Sequence, residues 1–361
     1  MFIDLKNEEE KFVNSPKIIN SAYNSTFREK QFENKKILVT GGVGSIGSEI
    51  VRQLLKQNPS VVRILDIDET RLFEIQSELK NYKSLRFLIG DVRDKDRLKR
   101  AIEDIDIIFH AAALKHVPSC EYNPFEAVKT NVIGTQNLIE AAMDEEVEKM
   151  INISTDKVAN PIGTMGATKL LTEKLVMGAE YYKGDRKTVF SSVRFGNVIG
   201  TRGSVIPLFK TQIKRDEILT ITDPNMTRFV MSIKQAVNLI FKASEVAEGG
   251  EIFIFKMPSL KISDLADVMV KESSKKIRIE TTGIRPGEKM YESLMTREEA
   301  EHALETDDMF IILPQIDKSY KSKFPSYKGI IQTKQMEYTS NNVKLMSKDE
   351  IRKMLLEESL L

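Results

Sequence analysis

Residues 37–54 read ILVTGGVGSIGSEIVRQL. An apolar β-type run is followed at once by glycines at 41, 44 and 47, and then by Ile46, Ile50 and Leu54 at the four-residue spacing of one helix face. Glycine at such a junction permits a tight turn and lets a pyrophosphate come close to the backbone, where its charge meets the helix N-terminus. A lone glycine motif says little. At the first strand-to-helix junction of an alternating chain it predicts a dinucleotide site made by Gly41, Gly44, Ser45, Ile46 and Gly47.

The rest of the chain supplies that alternation. The runs KKILVT (35–40), VVRILD (61–66), LRFLIGD (85–91), DIDIIFH (104–110) and MINIS (150–154) are separated by helical patterns, one of them around Leu72 to Leu79. Continuous apolar strands divided by helices mean a parallel sheet covered on both faces. The fold class is therefore α/β, a Rossmann-like doubly wound parallel sheet with a smaller C-terminal substrate-binding lobe. TVFSSVRFGNVIG (188–200) is a further strand running into a loop, and beyond about Thr201 turn-rich segments such as TDPNMTRF (222–229) place the lobe over the carboxyl edge of the sheet. The expected division is 1–34, a polar N-terminal arm; 35–200, an NAD-binding domain; and 201–361, mostly substrate lobe and C-terminal tail, the two lobes interleaved. Asn123, Pro124 and Glu126 suit the N-cap, first and third positions of a helix reaching about Ala142. That helix and the one from Met165 onward are apolar on more faces than one sheet can cover, which predicts a homodimer or larger homo-oligomer.

Among 361 residues, 54 lysines and arginines nearly cancel 53 aspartates and glutamates, a net charge of +1. No overall field draws the chain to nucleic acid or an anionic membrane, so charged ligands must be held by local groups. One cysteine, Cys120, excludes an internal disulfide framework, and three scattered histidines beside it suggest no metal site. With no apolar run of roughly 20 residues and no leader pattern, a cytoplasmic protein is expected.

Asp66 ends the second strand, where a carboxylate accepts hydrogen bonds from the adenosine ribose and repels a 2′-phosphate. Ile67 beside it offers that phosphate no cation, which favours NAD over NADP. A helix cap is the plainer reading of Asp66 and Asp68. Asp91 and Val92 after the third strand are placed at the adenine, and Ala111 and Ala112 after the fourth let the backbone run close under the cofactor.

Five longer stretches carry a resemblance: AAALKHVPSCEYNPFEAVKTNVIGTQNLIEAA (111–142), STDKVANPIGTMGATK (154–169), RFGNVIGTRGSVIPLF (194–209), LTITDPNMTRF (219–229) and IRPGEKMYESLMTREE (284–299). From about Lys35 to the C-terminus the chain resembles the extended short-chain dehydrogenase/reductases, and within them the bacterial UDP-N-acetylglucosamine 4,6-dehydratases of the capsule-biosynthesis (CapE- and CapD-like) branch. Related long enzymes carry membrane-spanning segments ahead of this region; with its polar arm the chain resembles the short form. Superfamily members usually have a Tyr four residues before the Lys that matches Lys169. Here that position is Met165, as in some dehydratases of the branch.

The resemblance implies a reaction on UDP-N-acetylglucosamine, expected to be of the 5-inverting kind: hydride from C4 to NAD, loss of the C5 proton, departure of the C6 hydroxyl as water, and return of the hydride to C6. It implies that Lys169 holds the nicotinamide ribose. Thr155 and Asp156 stand where the superfamily has its hydroxyl and the dehydratases their acid. Asp156 is the expected proton donor at C6 and acceptor at C4, and Lys157 the expected base at C5, a role that requires its pKa to be lowered toward neutrality. A thioether moves no proton, so Met165 leaves that work to its neighbours. Lys115, Asn197, Arg202, Arg228, Arg285 and Glu288 are the expected substrate contacts, the arginines because a guanidinium grips two oxygens at once. Two other readings remain: a UDP-N-acetylhexosamine 4-epimerase, against which Met165 counts, and an NAD-sensing protein without catalysis, against which Asp156, Lys157 and Lys169 together count.

Overall fold

A computed structural model describes residues 30–285, 287–314, 327 and 330–361. Among the described residues nine strands form the central sheet: β1 (Lys36–Thr40), β2 (Val61–Asp66), β3 (Leu85–Ile89), β4 (Ile107–His110), β5 (Lys149–Ile153), β6 (Val189–Arg194), β7 (Ile252–Phe255), β8 (Ala303–Glu305) and β9 (Met309–Ile312). Their order is 3-2-1-4-5-6-7-9-8, parallel from β3 through β7 and antiparallel at the last two. The chain leaves β1 in one direction toward β2 and β3 and returns to β4 on its other side, so a crevice opens at the carboxyl ends of β1 and β4.

The side-chain period of two sends alternate residues to opposite faces. Ile37, Val39, Ile107 and Phe109 join one core with Ile50, Val51 and Leu54 of the helix Ser45–Leu54 and Val237, Ile240 and Phe241 of the helix Ile233–Val246. Leu38, Ile108 and Met150 join another with residues of the helices Lys95–Ile102, Gly134–Asp144 and Thr164–Tyr182. A third core belongs to the smaller lobe, where the helices Val205–Lys214, Ile262–Glu272 and Lys348–Glu357 enclose Phe209, Leu260, Leu265 and Ile351.

Three expectations change. The span 35–200 does not hold the whole sheet, because β7, β8 and β9 return to it from the C-terminal half, a form of the interleaving expected of the lobes. Nor is the polar arm outside the core up to residue 34. Phe32 is fully buried, its ring 4.7 Å from that of Phe241 and 5.8 Å from that of Phe109, while Gln31 donates to the Ser244 hydroxyl at 2.9 Å. Residues 1–29 of the arm lie outside the described residues. Finally, Pro124 opens the helix Pro124–Ala127, but Asn123 makes no cap; its amide donates back to the Ser119 carbonyl, and Glu126 pairs with Arg93 and Lys129. A π-helical turn, Val128–Ile133, then leads into Gly134–Asp144.

Candidate active site

A cleft of about 830 Å³ lies at the carboxyl ends of the parallel strands. Its floor at one end is the glycine turn. Gly41 has φ +64°, and a Cβ there would stand 2.6 Å from the Ala112 nitrogen, so only glycine fits beneath Ala111 and Ala112. Gly47 packs its helix onto the turn, where a Cβ would come within 2.2 Å of the Gly41 carbonyl. Gly44 occupies the N-cap of Ser45–Leu54 with no side-chain cap, and the first turn carries no acidic residue, so the positive end of the helix meets the cleft unneutralised.

Asp66 stands at the rim with its carboxylate fixed by two backbone donors, Val43 N–H to Oδ2 and Asp68 N–H to Oδ1, both at 3.1 Å. Asp68, not Asp66, caps the following helix, by accepting from the Arg71 N–H. Two arginines that sequence reasoning missed also line this end. Arg71 lies 3.7 Å from Asp68 and 3.9 Å from Glu74, and Arg93 is paired with Asp91 and Glu126. Val92 is buried against Gly134, and it too lines the cleft.

At the other end stands the strand-and-helix pair read as catalytic. β5 delivers Ser154, Thr155 and Asp156 to the cleft, and the Asp156 N–H donates to the Phe195 carbonyl, which carries the pairing with β6 beyond the ends of both strands. Asp156 is wholly buried. Its Oδ1 accepts from the Thr155 hydroxyl at 3.0 Å and from Lys157 Nζ at 2.8 Å; its Oδ2 is buried without a partner among the described residues. Lys169, on Thr164–Tyr182, donates to the Ile153 carbonyl at 2.6 Å, and burial lowers its pKa to about 8 against the opposing pull of Glu173. Met165 packs with Val117, Cys120 and Ala127 on the cleft wall.

Lys157 departs from the expected free base. Burial alone lowers its pKa, but Asp156 and then Glu292 outweigh that, so the group sits above the usual lysine value as an ammonium. Glu292, which no sequence pattern singled out, is 3% exposed and places Oε1 3.4 Å from Lys157 Nζ.

The expected substrate contacts divide. Lys115, Asn197 and Arg202 line the cleft. Lys115 Nζ donates to the Arg202 carbonyl at 3.1 Å, and burial, then Arg202, lowers its pKa. Arg202 reaches over the glycine turn, its guanidinium donating to the Val43 carbonyl and its N–H to the Ser45 hydroxyl at 3.3 Å. It therefore stands at the glycine-turn end rather than beside Asp156. Arg228 is built into the wall: its guanidinium donates to the Thr227 carbonyl at 2.7 Å and lies 3.9 Å from Glu292, and the residue does not line the cleft. Arg285 and Glu288 face each other across their own turn, the Arg285 N–H donating to Glu288 Oε2 at 3.2 Å, also away from the cleft lining.

Positioning residues were missed as well. Asn131, within the π-helical turn, accepts from the Leu114 N–H and donates to its carbonyl and to the Thr168 hydroxyl, tying the loop under the cleft to the helix bearing Met165 and Lys169. His110, held between Thr40 and Thr135, is kept neutral by burial and then by Lys169, with a pKa of about 3. Both sit in runs whose chemistry no spacing rule announces.

Buried polar atoms with no partner among the described residues, Ser154 Oγ, Asp156 Oδ2 and Ser204 Oγ, belong to residues that line this cleft, and glycines form the turn at its other end. An extended polar ligand with a diphosphate fits such a cleft. Fold and site define a Rossmann protein of the short-chain dehydrogenase/reductase type. The chain belongs to the family described as polysaccharide biosynthesis protein, whose model matches residues 37–314.

Relatives bear this out with differing names. A Methanocaldococcus jannaschii protein, 56% identical over 91% of this chain and 98% of its own, is called an uncharacterized membrane protein. A Campylobacter jejuni protein named UDP-N-acetylglucosamine 4,6-dehydratase (inverting) is 41% identical over 88% of this chain and 96% of its own. A Rickettsia bellii protein named UDP-glucose 4-epimerase is 40% identical over 90% and 96%. Among solved structures, Pen from Bacillus thuringiensis superposes with a TM-score of 0.85 at 45% identity, covering 91% of this chain and 99% of that one. No helix among the described residues is long and apolar enough to cross a membrane.

Proposed function

We propose that the protein is a UDP-N-acetylglucosamine 4,6-dehydratase of the inverting kind, acting in the cytoplasm in surface-polysaccharide synthesis. One observation carries the reading: Met165 occupies the position of the usual proton-moving tyrosine, while Asp156, with a buried oxygen unpartnered among the described residues, and Lys157 stand side by side on the cleft wall. An oxidation alone needs one proton acceptor; an elimination that follows needs a base at C5 and an acid at C6 as well. A bound nicotinamide supplies the acceptor for the C4 hydride and its later donor at C6. Asp156 Oδ2 takes the C4 hydroxyl proton and later gives a proton to the departing C6 hydroxyl, which leaves as water. Lys157, once it has shed its own proton, takes the C5 proton, which the C4 carbonyl makes acidic. Lys169 stays fixed by the Ile153 carbonyl and presents positive charge to the same end of the cleft.

The Rickettsia relative's name favours a second reading, 4-epimerisation, which would leave Lys157 without a task at C5. Incubating the purified protein with UDP-N-acetylglucosamine and reading the product by NMR separates the two. A 6-deoxy-4-keto sugar supports the dehydratase, and an intact C6 hydroxyl with inverted C4 supports the epimerase.

For the cofactor we favour NAD. The fixed Asp66 carboxylate would repel a 2′-phosphate, and Arg71 and Arg93 are each neutralised by two carboxylates of their own. Titration of stripped protein is expected to show NAD binding about tenfold or more tighter than NADP, roughly 1.4 kcal/mol. Equal affinities would mean that Arg71 turns to the phosphate.

The reading includes a homodimer. Tyr122, Phe125, Ile133 and Leu171 stay exposed on the helices flanking the site, an apolar face that a second copy would cover. Light scattering at micromolar concentration is expected to give twice the chain mass of 41.1 kDa; a monomer there contradicts it.

A further inference from the structure

Between Lys157 and the smaller lobe lies a carboxylate that the proposed chemistry has not used. Glu292 is 3% exposed, its backbone N–H held by the Ser340 hydroxyl at 3.0 Å. Its Oε1 stands 3.4 Å from Lys157 Nζ and 3.9 Å from Arg228 Nε, while its Oε2 is buried with no partner among the described residues. With Lys157, Met165 and Lys289 it lines a chamber of about 10 Å³ that shares Lys157 and Met165 with the cleft. The charged groups facing Lys157 are Asp156 from its own turn, Glu292 from the segment before Ser293–Met295, and Arg228 from Thr227–Met231. Lys289 approaches Glu292 and Asp156 from the same loop as Glu292.

A lysine held between two carboxylates arrives at the sugar with a proton it must lose before it can remove another. Asp156 cannot take that proton once it has accepted the one from the C4 hydroxyl. We propose that Glu292 is the proton partner of Lys157, a positioning residue that accepts the ammonium proton so that the amine is free when the C5 proton becomes acidic. The inference rests on the reading of Lys157 as the C5 base. In balance, Lys157 ammonium and Glu292 carboxylate become amine and carboxylic acid. The amine then takes the C5 proton and is an ammonium again, and the electron pair of the broken C–H bond passes into the enolate of the C4 ketone. After water has left, C5 takes one proton from solvent on the opposite face and Glu292 releases to solvent the proton it accepted, so the cycle closes with no net gain.

A purely electrostatic carboxylate and a proton-accepting one predict opposite results for Glu292→Gln. If Glu292 only holds Lys157 charged, its removal frees the amine and speeds exchange of the C5 hydrogen with solvent deuterium near neutral pH. If it accepts the proton, exchange slows. We expect Glu292→Gln to exchange C5 about a hundredfold more slowly than wild type with UDP-N-acetylglucosamine as probe, while Glu292→Asp recovers a measurable part of that rate. Exchange in Glu292→Gln at or above the wild-type rate overturns the proposal.

A second measurement does not depend on the sugar chemistry. In protein labelled with 13Cε-lysine, with the Lys157 resonance assigned from Lys157→Arg, Glu292→Gln is expected to lower the titration midpoint of Lys157 by about one unit, since an opposite charge at this distance favours the ammonium. An unmoved midpoint also overturns the pairing. Failure of wild type to exchange C5 at all would instead sink the dehydratase reading, and the titration would still decide whether the two groups are paired.

Discussion

Asp156→Asn is expected to lower formation of the 6-deoxy-4-keto product by about a thousandfold, because one group is asked to move a proton at both C4 and C6. An amide keeps the shape and the hydrogen bond from Thr155 but has no basic oxygen to offer in place of Oδ2. Lys157→Ala should fail differently. C4 oxidation continues, and borodeuteride trapping of the keto sugar detects it, but solvent deuterium no longer enters C5 and water is not lost. Met165→Leu should stay within about tenfold of wild type, since the thioether contributes packing against Cys120 and Ala127 and no proton. A Lys157→Ala variant that exchanges C5 at the wild-type rate removes Lys157 from its role, and a Met165→Leu variant as dead as Asp156→Asn gives the methionine a task beyond packing.

Arg194→Met is expected to cost about 3–5 kcal/mol of folding stability, the largest loss of any single substitution considered. Arg194 is fully buried at the end of β6 and donates to both oxygens of Glu173, both oxygens of Glu299 and the Leu294 carbonyl, at 2.6–3.1 Å. Methionine fills much of the space but leaves Glu173, itself fully buried, as an unpaired charge. The double variant Glu173→Leu with Arg194→Met should recover part of the loss, because Glu299 keeps the backbone N–H of Thr296 as a partner. Urea unfolding followed by circular dichroism checks both. A single variant within about 1 kcal/mol of wild type would show that the pair contributes little beyond what the surrounding packing supplies.

The strands and the glycine turn were legible because their signals are local. Ile37 to Val39 followed by Gly41, Gly44 and Gly47 fixes both a strand and the turn after it within a dozen residues, and Asp66 follows from where the next strand stops. What escaped depends on distant partners. Phe32 reads as one apolar residue in a polar arm, and only the rings of Phe109 and Phe241 make it core. IFIF, residues 252–255, carries no mark that it pairs with β6 rather than within the lobe. The charge of Lys157 was misjudged because Glu292, far along the chain, decides it together with Asp156. Arg228 has the right chemistry for a diphosphate, yet Thr227 and Glu292 already engage it.

The return of β7 to the sheet has a consequence for how the protein is made. A ribosome that has released residues up to 200 has produced β6 with one neighbour, β5, and an open flank of apolar and hydroxyl side chains that stays unpaired until residues 252–255 emerge. Arg194 on that strand meets Glu173 early but waits for Glu299, more than a hundred residues later. The nascent chain therefore carries an exposed strand edge and a half-compensated buried cation for several seconds at ordinary synthesis rates of about 5–20 residues per second. Shortened versions ending near residue 200 would keep that edge for good and associate through it, so the first six strands of this sheet are not a unit that can be separated from the rest.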